Sequence, residues 1–157
     1  MVYKSNLKGR FKLIETGFYY LLAWMIILAL FNFHKGFLVV FIGYSLIYFV
    51  PLIIVYFNYV NNTQISKVKV YKKKITFISN SLTETEELDK LRVSKVCTRH
   101  WTLPAFPWEG NFFYYLIESN ERTWIITSLL GEIPLLEKRA LKVEKFYPLI
   151  RKRPNKK

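Results

Sequence analysis

The sequence predicts a two-helix transmembrane hairpin followed by a mainly antiparallel β domain with one helix at its C-terminal end, and three patterns predict it. Two long uncharged apolar runs lie back to back in the first 60 positions. After about Asn61 they give way to short runs that alternate apolar and polar with period two. A proline-headed stretch with helical spacing, Pro134 to Lys145, follows the last of these. The composition agrees, because 52% hydrophobic and 18% aromatic residues in a chain of 157 exceed what one small soluble core needs. The same apolar content excludes a disordered chain. Cys97 stands alone, so an intrachain disulfide and a cysteine-rich zinc site are excluded, and two histidines leave little for metal chemistry.

Residues 1–15 form a basic segment carrying Lys4, Lys8, Arg10 and Lys12 against the single acid Glu15. The first apolar run, 16–33, has 18 residues and reaches about 27 Å as a helix, close to the hydrocarbon thickness of a bilayer. The second, 37–60, has 24 residues and reaches about 36 Å, enough to cross with some tilt. Two helices that are apolar all round would find too little polar cover in a soluble chain of this length. A cleaved signal peptide also begins basic and then apolar, but this run is longer than a signal core and no A-x-A-like site follows it. Only His34 to Gly36 joins the two runs, so the helices are antiparallel neighbours and both ends share one side.

Charge selects the side. Nineteen basic and ten acidic residues follow Val60, whereas the far turn carries only Lys35. Both termini are therefore expected in the cytoplasm. Phe18, Tyr19 and Tyr20 fall at the same expected interface as Tyr56, Phe57 and Tyr59, with Phe31, Phe33 and Phe37 at the other. Pro51 should bend the second helix, and Gly36 and Gly43, seven apart, offer close packing against the first. Neither span has an ionisable residue in its central part, which speaks against an ion or proton pathway.

In residues 61–150 the expected strands are Ser66 to Tyr71, Lys74 to Ser79, Ser81 to Leu88, Val93 to Trp101, Phe112 to Ser119 and Thr123 to Ser128. Most links have hairpin length, which implies antiparallel pairing. The exception is Thr102 to Asn111, a longer loop with two prolines and a glycine. From Pro134 to Lys145, Leu136, Ala140 and Val143 share one helical face. Residues 151–157 form a basic tail.

Six or seven short strands followed by a helix is the order of a pleckstrin-homology-like barrel. The segments VKVYKKKITFIS, LDKLRVSKV leading into TRHW, and FYYLIESNERTWIITSLL resemble small bacterial membrane proteins that pair a transmembrane hairpin with a cytoplasmic PH-like domain. The resemblance implies a bacterial inner membrane and a largely uncharacterised family, and it transfers no catalytic residue. The chain departs from the usual basic PH signature after the first strand, offering only Lys72 to Lys74.

Candidate chemistry is sparse. Cys97 and His100, three apart on a strand, point to opposite faces and do not form a nucleophilic pair. Glu84, Glu86, Glu87 and Asp89 read as a solvated edge strand rather than a metal site. No phosphate-binding loop, dinucleotide fingerprint, nucleophile elbow or zinc-protease motif is present, so the reading is non-enzymatic, without cofactor or metal. Two basic clusters remain: Lys67, Lys69, Lys72, Lys73 and Lys74, and Arg151, Lys152 and Arg153 with the two terminal lysines. They either set orientation and solubility or contact anionic lipid headgroups, worth about 1 kcal/mol per residue at the surface. Nucleic acid is the weaker reading, since no RNA-binding motif is visible. The loop aromatics Trp101, Phe106 and Trp108 either dock on a partner or pack across the barrel mouth. The expected function is an interaction or anionic-lipid-sensing module, accessory to an unidentified membrane protein partner. The alternative is a small subunit of a membrane enzyme or transport complex in which the hairpin makes the functional contacts.

Overall fold

Residues Val2–Lys4 already belong to a sheet, as strand β1, and the whole helical hairpin is inserted between this strand and its neighbour. The computed structural model describes residues 1–4, 7–32, 34–63, 65–79, 82–98, 112–120, 122–145 and 148–150. Helix α1 spans Leu7–Leu30 and helix α2 spans Lys35–Asn62. They are followed by β2 (Ile65–Tyr71), β3 (Lys74–Ser79), β4 (Thr83–Glu87), β5 (Arg92–Thr98), β6 (Phe113–Glu118), β7 (Thr123–Thr127), the single turn α3 (Pro134–Glu137) and β8 (Leu141–Lys145). Two four-stranded sheets result, in the orders β1-β2-β3-β4 and β7-β6-β5-β8.

The six expected strands are present with ends shifted by a few residues; β2–β3, β3–β4 and β6–β7 are short-turn antiparallel pairs, β5 and β6 pair antiparallel across a longer connection, and the short β4–β5 link passes from one sheet to the other. The two sheets enclose one core. Val68, Ile75 and Phe77 of the first sheet meet Val93, Tyr115, Ile117 and Ile126 of the second. A bulge between Ile65 and Lys67 lets both Ile65 and Val68 face inward although they are three residues apart. Phe77 stacks on Trp124 with centroids 4.8 Å apart, and the Trp124 indole N–H donates to Glu84 Oε2 at 2.8 Å. Arg122 pairs with the same carboxylate, so Glu84 ties the edge of one sheet to the edge of the other.

The helix expected over Pro134 to Lys145 is only α3, Pro134–Glu137, and the remainder is β8, parallel to β5 in the register Ser94↔Leu141 to Thr98↔Lys145. Leu136 is fully buried at the end of the barrel, as a helical plug would be. Beyond Arg139, however, the edge of β5 offers unpaired backbone groups, and Leu-Lys-Val-Glu-Lys has the period of a strand. Tertiary hydrogen bonding outweighs helix propensity there. All five residues of β8 are exposed, and its charged side chains guard the new edge.

The hairpin is antiparallel, as its short turn demands. Tyr20 stacks on Tyr44 (6.3 Å) and lies 5.8 Å from Phe49, Trp24 lies 5.9 Å from Phe41, and Phe31 stacks on Phe37 at the far turn. His34 caps α2, its Nδ1 accepting the Gly36 N–H at 3.2 Å. Close approach occurs at Gly17, where a Cβ would stand 2.7 Å from Leu52 Cδ2, and not at Gly43, which has open space around it. The expected Gly36 and Gly43 contact is thus corrected: Gly43 faces away from α1 and Gly36 sits against its own cap.

Among the described residues, α2 is the one helix long and apolar enough to cross a membrane, with a mean hydropathy of 2.6 and 12% of its most apolar window buried. The apolar part of α1, Gly17–Leu30, is shorter. The end of α2 belongs to the domain. Leu52, Val55 and Tyr59 pack against Val96, Phe112, Tyr114 and Leu129 on the outer face of the second sheet. Tyr59, expected at an aromatic belt, is fully buried edge-on to Phe112 at 5.3 Å. The layers are therefore sheet, sheet and helix.

The C-terminal segment is clamped to that helix. The Asn58 side chain donates to Ile150 O (3.1 Å) and accepts the Ile150 N–H (2.8 Å), while the Tyr59 hydroxyl donates to Pro148 O. Asn58→Ala should lower the stability of the full-length protein by about 2 kcal/mol, because it leaves two part-buried backbone groups unpaired. Thermal unfolding in detergent measures this, and early proteolysis beyond Lys145 should accompany it.

Candidate functional site

The outer face of the first sheet gathers the lysines that the sequence singles out. Inward positions of β2 and β3 are apolar, so the alternate positions Lys67, Lys69, Lys74 and Thr76 face out. Lys72 and Lys73 form the two-residue turn between Tyr71 and Lys74, and both are exposed. Lys72 has φ of +49°, a left-handed conformation costing a residue with a Cβ about 1 kcal/mol or more, and its ammonium lies 5.7 Å from the Tyr71 ring centroid. One lysine was missed. Lys4 of β1 lies directly opposite Lys67, placing two like charges in one cross-strand pair. Its signal was hidden because three residues, Val2–Lys4, carry too little pattern to read as a strand.

Acids temper one end of this face. Glu87 stands opposite Lys74 in the β3–β4 register and pairs with Lys90 at 3.0 Å. At the helix end no carboxylate pairs with Lys4 or Lys67 among the described residues. The face is thus basic from Lys4 and Lys67 along β2 to the turn at Lys72 and Lys73. The other proposed lipid contacts, Arg151, Lys152 and Arg153, lie outside the described residues. So do the loop aromatics Trp101, Phe106 and Trp108, and His100.

A second polar cluster was also missed. Lys95 shares the inward face of β5 with Val93 and Cys97 and is buried. Its ammonium bonds to Glu137 Oε1 at 2.8 Å, lies 3.5 Å from Glu132, and sits over the Phe113 ring at 4.5 Å. The Tyr115 hydroxyl donates to the other Glu137 oxygen at 2.7 Å. Burial, then the bond to Glu137 and its charge, push the Tyr115 phenol far up, so it stays a donor. Burial alone would raise the Glu137 carboxyl, but the hydrogen bonds from Lys95 and Tyr115 and the nearby lysine charges hold it below the usual range. Lys95, Glu137 and Tyr115 bond to one another across the barrel end. A lysine in phase with Val93 and Cys97 was the sequence signal for it. Cys97 itself is half-buried, and burial pushes its thiol up, away from the reactive thiolate. Among the described residues no three His, Cys, Asp or Glu side chains are grouped to hold a metal.

The PH domain family matches residues 2–138. The chain belongs to the PH domain family. The match begins inside β1 and runs across the hairpin, so β1 is part of the PH domain. The chain matches no curated protein and no solved structure. PH domains are typically non-enzymatic binding modules for lipids or proteins.

Because Glu137 has a lowered pKa in the folded PH domain, it contributes stability above its unfolded pKa, and that stability is lost as pH falls through its folded value. Glu137→Gln should cost about 2 kcal/mol at neutral pH, less than the ~3–5 of a fully buried pair because Glu137 is 43% exposed. The variant should also lose less stability than wild type on acidification below the carboxylate range, which melting curves at neutral and acid pH will show.

Proposed function

We propose that this chain is an integral membrane protein whose hairpin α1–α2 lies in the bilayer and whose PH domain, on the positively biased side with both termini, recognises anionic lipid headgroups as an accessory to a membrane assembly. The observation that carries the membrane reading is α2, which leaves Val39, Ile42, Leu46, Ile47, Val50 and Ile54 exposed along its length. From Lys35 to Pro51, ahead of the residues that pack on the second sheet, the helix rises about 24 Å, most of the thickness of a hydrocarbon core. Water would not tolerate so large an uncovered apolar surface.

Two features support headgroup recognition by the basic face. Lys4 opposite Lys67 is repulsive unless an anion lies near, and Lys72 holds a left-handed turn position that glycine or asparagine would occupy with less strain. The Lys4–Lys67 repulsion is offset when phosphate oxygens lie between the two ammonium groups. The bacterial inner membrane, rich in anionic lipid, is the setting that this reading requires.

Carbonate washing and amine labelling test it on the full-length protein reconstituted in vesicles. The protein should stay with the membrane pellet, and Lys67, Lys69, Lys72 and Lys73 should label more slowly in vesicles containing phosphatidylglycerol than in pure phosphatidylcholine. Release by carbonate sinks the membrane reading, and equal labelling in both lipids sinks headgroup recognition. Lys72→Gly should raise thermal stability by about 1 kcal/mol through relief of the left-handed residue while weakening the lipid-dependent protection.

A further inference from the structure

The sheet β7-β6-β5-β8 ends on β8, and among the described residues no strand pairs with its outer edge. The whole strand is exposed, with Leu141 at 66% and Val143 at 39%. One contact tells which backbone groups it leaves free. The Val143 carbonyl points back to β5, where Cys97 Sγ lies 3.9 Å from it. The N–H and C=O of one strand residue leave the same edge, and successive residues alternate between edges. Val143 therefore directs its polar groups to β5, and those of Lys142 and Glu144 face the open edge.

A free edge is a template for another strand, and charged side chains normally block it. Here they select a register instead. In an antiparallel pair, residues whose polar groups face outward must stand opposite one another, so a second β8 fits the first in few ways. Lys142 opposite Lys142, or Glu144 opposite Glu144, sets like charges face to face. Leu141 opposite Leu141 leaves both charges without a partner in the strand. With Val143 opposite Val143, Lys142 of each copy stands opposite Glu144 of the other, and each such couple exchanges both of its backbone hydrogen bonds. The charged couples lie on one face of the joint, while Val143 meets its twin on the other with Leu141 nearby.

We propose that β8 pairs antiparallel with β8 of a second copy of this chain about a two-fold axis at Val143, joining two four-stranded sheets into one. The contact between Lys142 and Glu144 within one strand, 3.8 Å, is exchanged for two contacts across the axis. Such an interface is self-complementary and closes at two copies. It uses neither the lysine face of the first sheet nor the hairpin, so it stands whether or not those meet lipid.

Disulfide trapping of the full-length protein in detergent tests the register. With Cys97→Ser removing the native thiol, Val143→Cys should cross-link on mild oxidation, because residues opposite at such an axis have Cα atoms about 4.5 Å apart, within disulfide reach. Leu141→Cys in the same background should not, since its two copies stand about 13 Å apart along the strands. Lys142→Glu and Glu144→Lys, each added to Val143→Cys, should slow cross-linking about tenfold, as two attractive pairs become repulsive. An equal mixture of these two charge variants should recover the rate of Val143→Cys alone, because each then faces its complement, and that recovery also shows that both fold. No dimer from Val143→Cys, equal trapping at position 141, a mixture as slow as its components, or a cross-link from position 143 to a different protein overturns the proposal.

Discussion

The pairing of β1 with β2, Tyr3 opposite Val68, fixes where everything else must go. Two neighbouring strands are separated in sequence by both helices, so the chain that leaves β1 must return within one strand spacing of its departure. Only an antiparallel pair of helices of similar reach does that. The Met1 amine bonds to Val70 O and the Val70 N–H to Met1 O, so the pairing extends to the first residue. The first sheet of the PH domain is therefore incomplete until the hairpin has turned back, and its closure depends on the helices meeting correctly.

The second constraint is that the sheet β7-β6-β5-β8 has two buried faces. Along β6 the residues Phe113, Tyr115 and Ile117 enter the barrel core, while Tyr114 and Leu116 turn to α2. Such a strand reads as an unbroken apolar run, and the stretch FFYYLI shows this openly. The run announces a cover on the outer face but not its identity. That cover is the last third of α2, whose Leu52, Val55 and Tyr59 could not be told from lipid-facing residues, since hydrocarbon and protein interior select the same side chains. What distinguishes them is polar company: Asn58 and Thr63 reach Ile150 and Thr127, partners that only the folded domain supplies.

Strongly periodic elements were legible, and elements made by their neighbours were not. β2 and β3 alternate so regularly that their boundaries and the lysine turn between them were readable directly. β8 owes its conformation to the free edge of β5, and a helical spacing of Leu136, Ala140 and Val143 masked it. Likewise Lys95 is buried because Glu137, Glu132 and Tyr115, distant in sequence, converge on it. Of the candidate site, the lysines of β2 and its turn could be named in advance. The repulsive partner Lys4 could not, because cross-strand registry is a property of the sheet.

These junctions are short, and that shapes what the PH domain can do. Two residues join β1 to α1, and Thr63 and Gln64 join α2 to β2. The Thr63 hydroxyl contact with Thr127 Oγ1 and the two-way bond of Asn58 to Ile150 tie the end of α2 to the domain. A module on a flexible tether finds its ligand by diffusing, whereas one mounted like this presents a single face in a fixed direction. Under the proposed function, recognition by the lysine face would depend on orientation as much as on charge, and the packing of α1 on α2 bears on the β1–β2 register because both helices lie between those two strands.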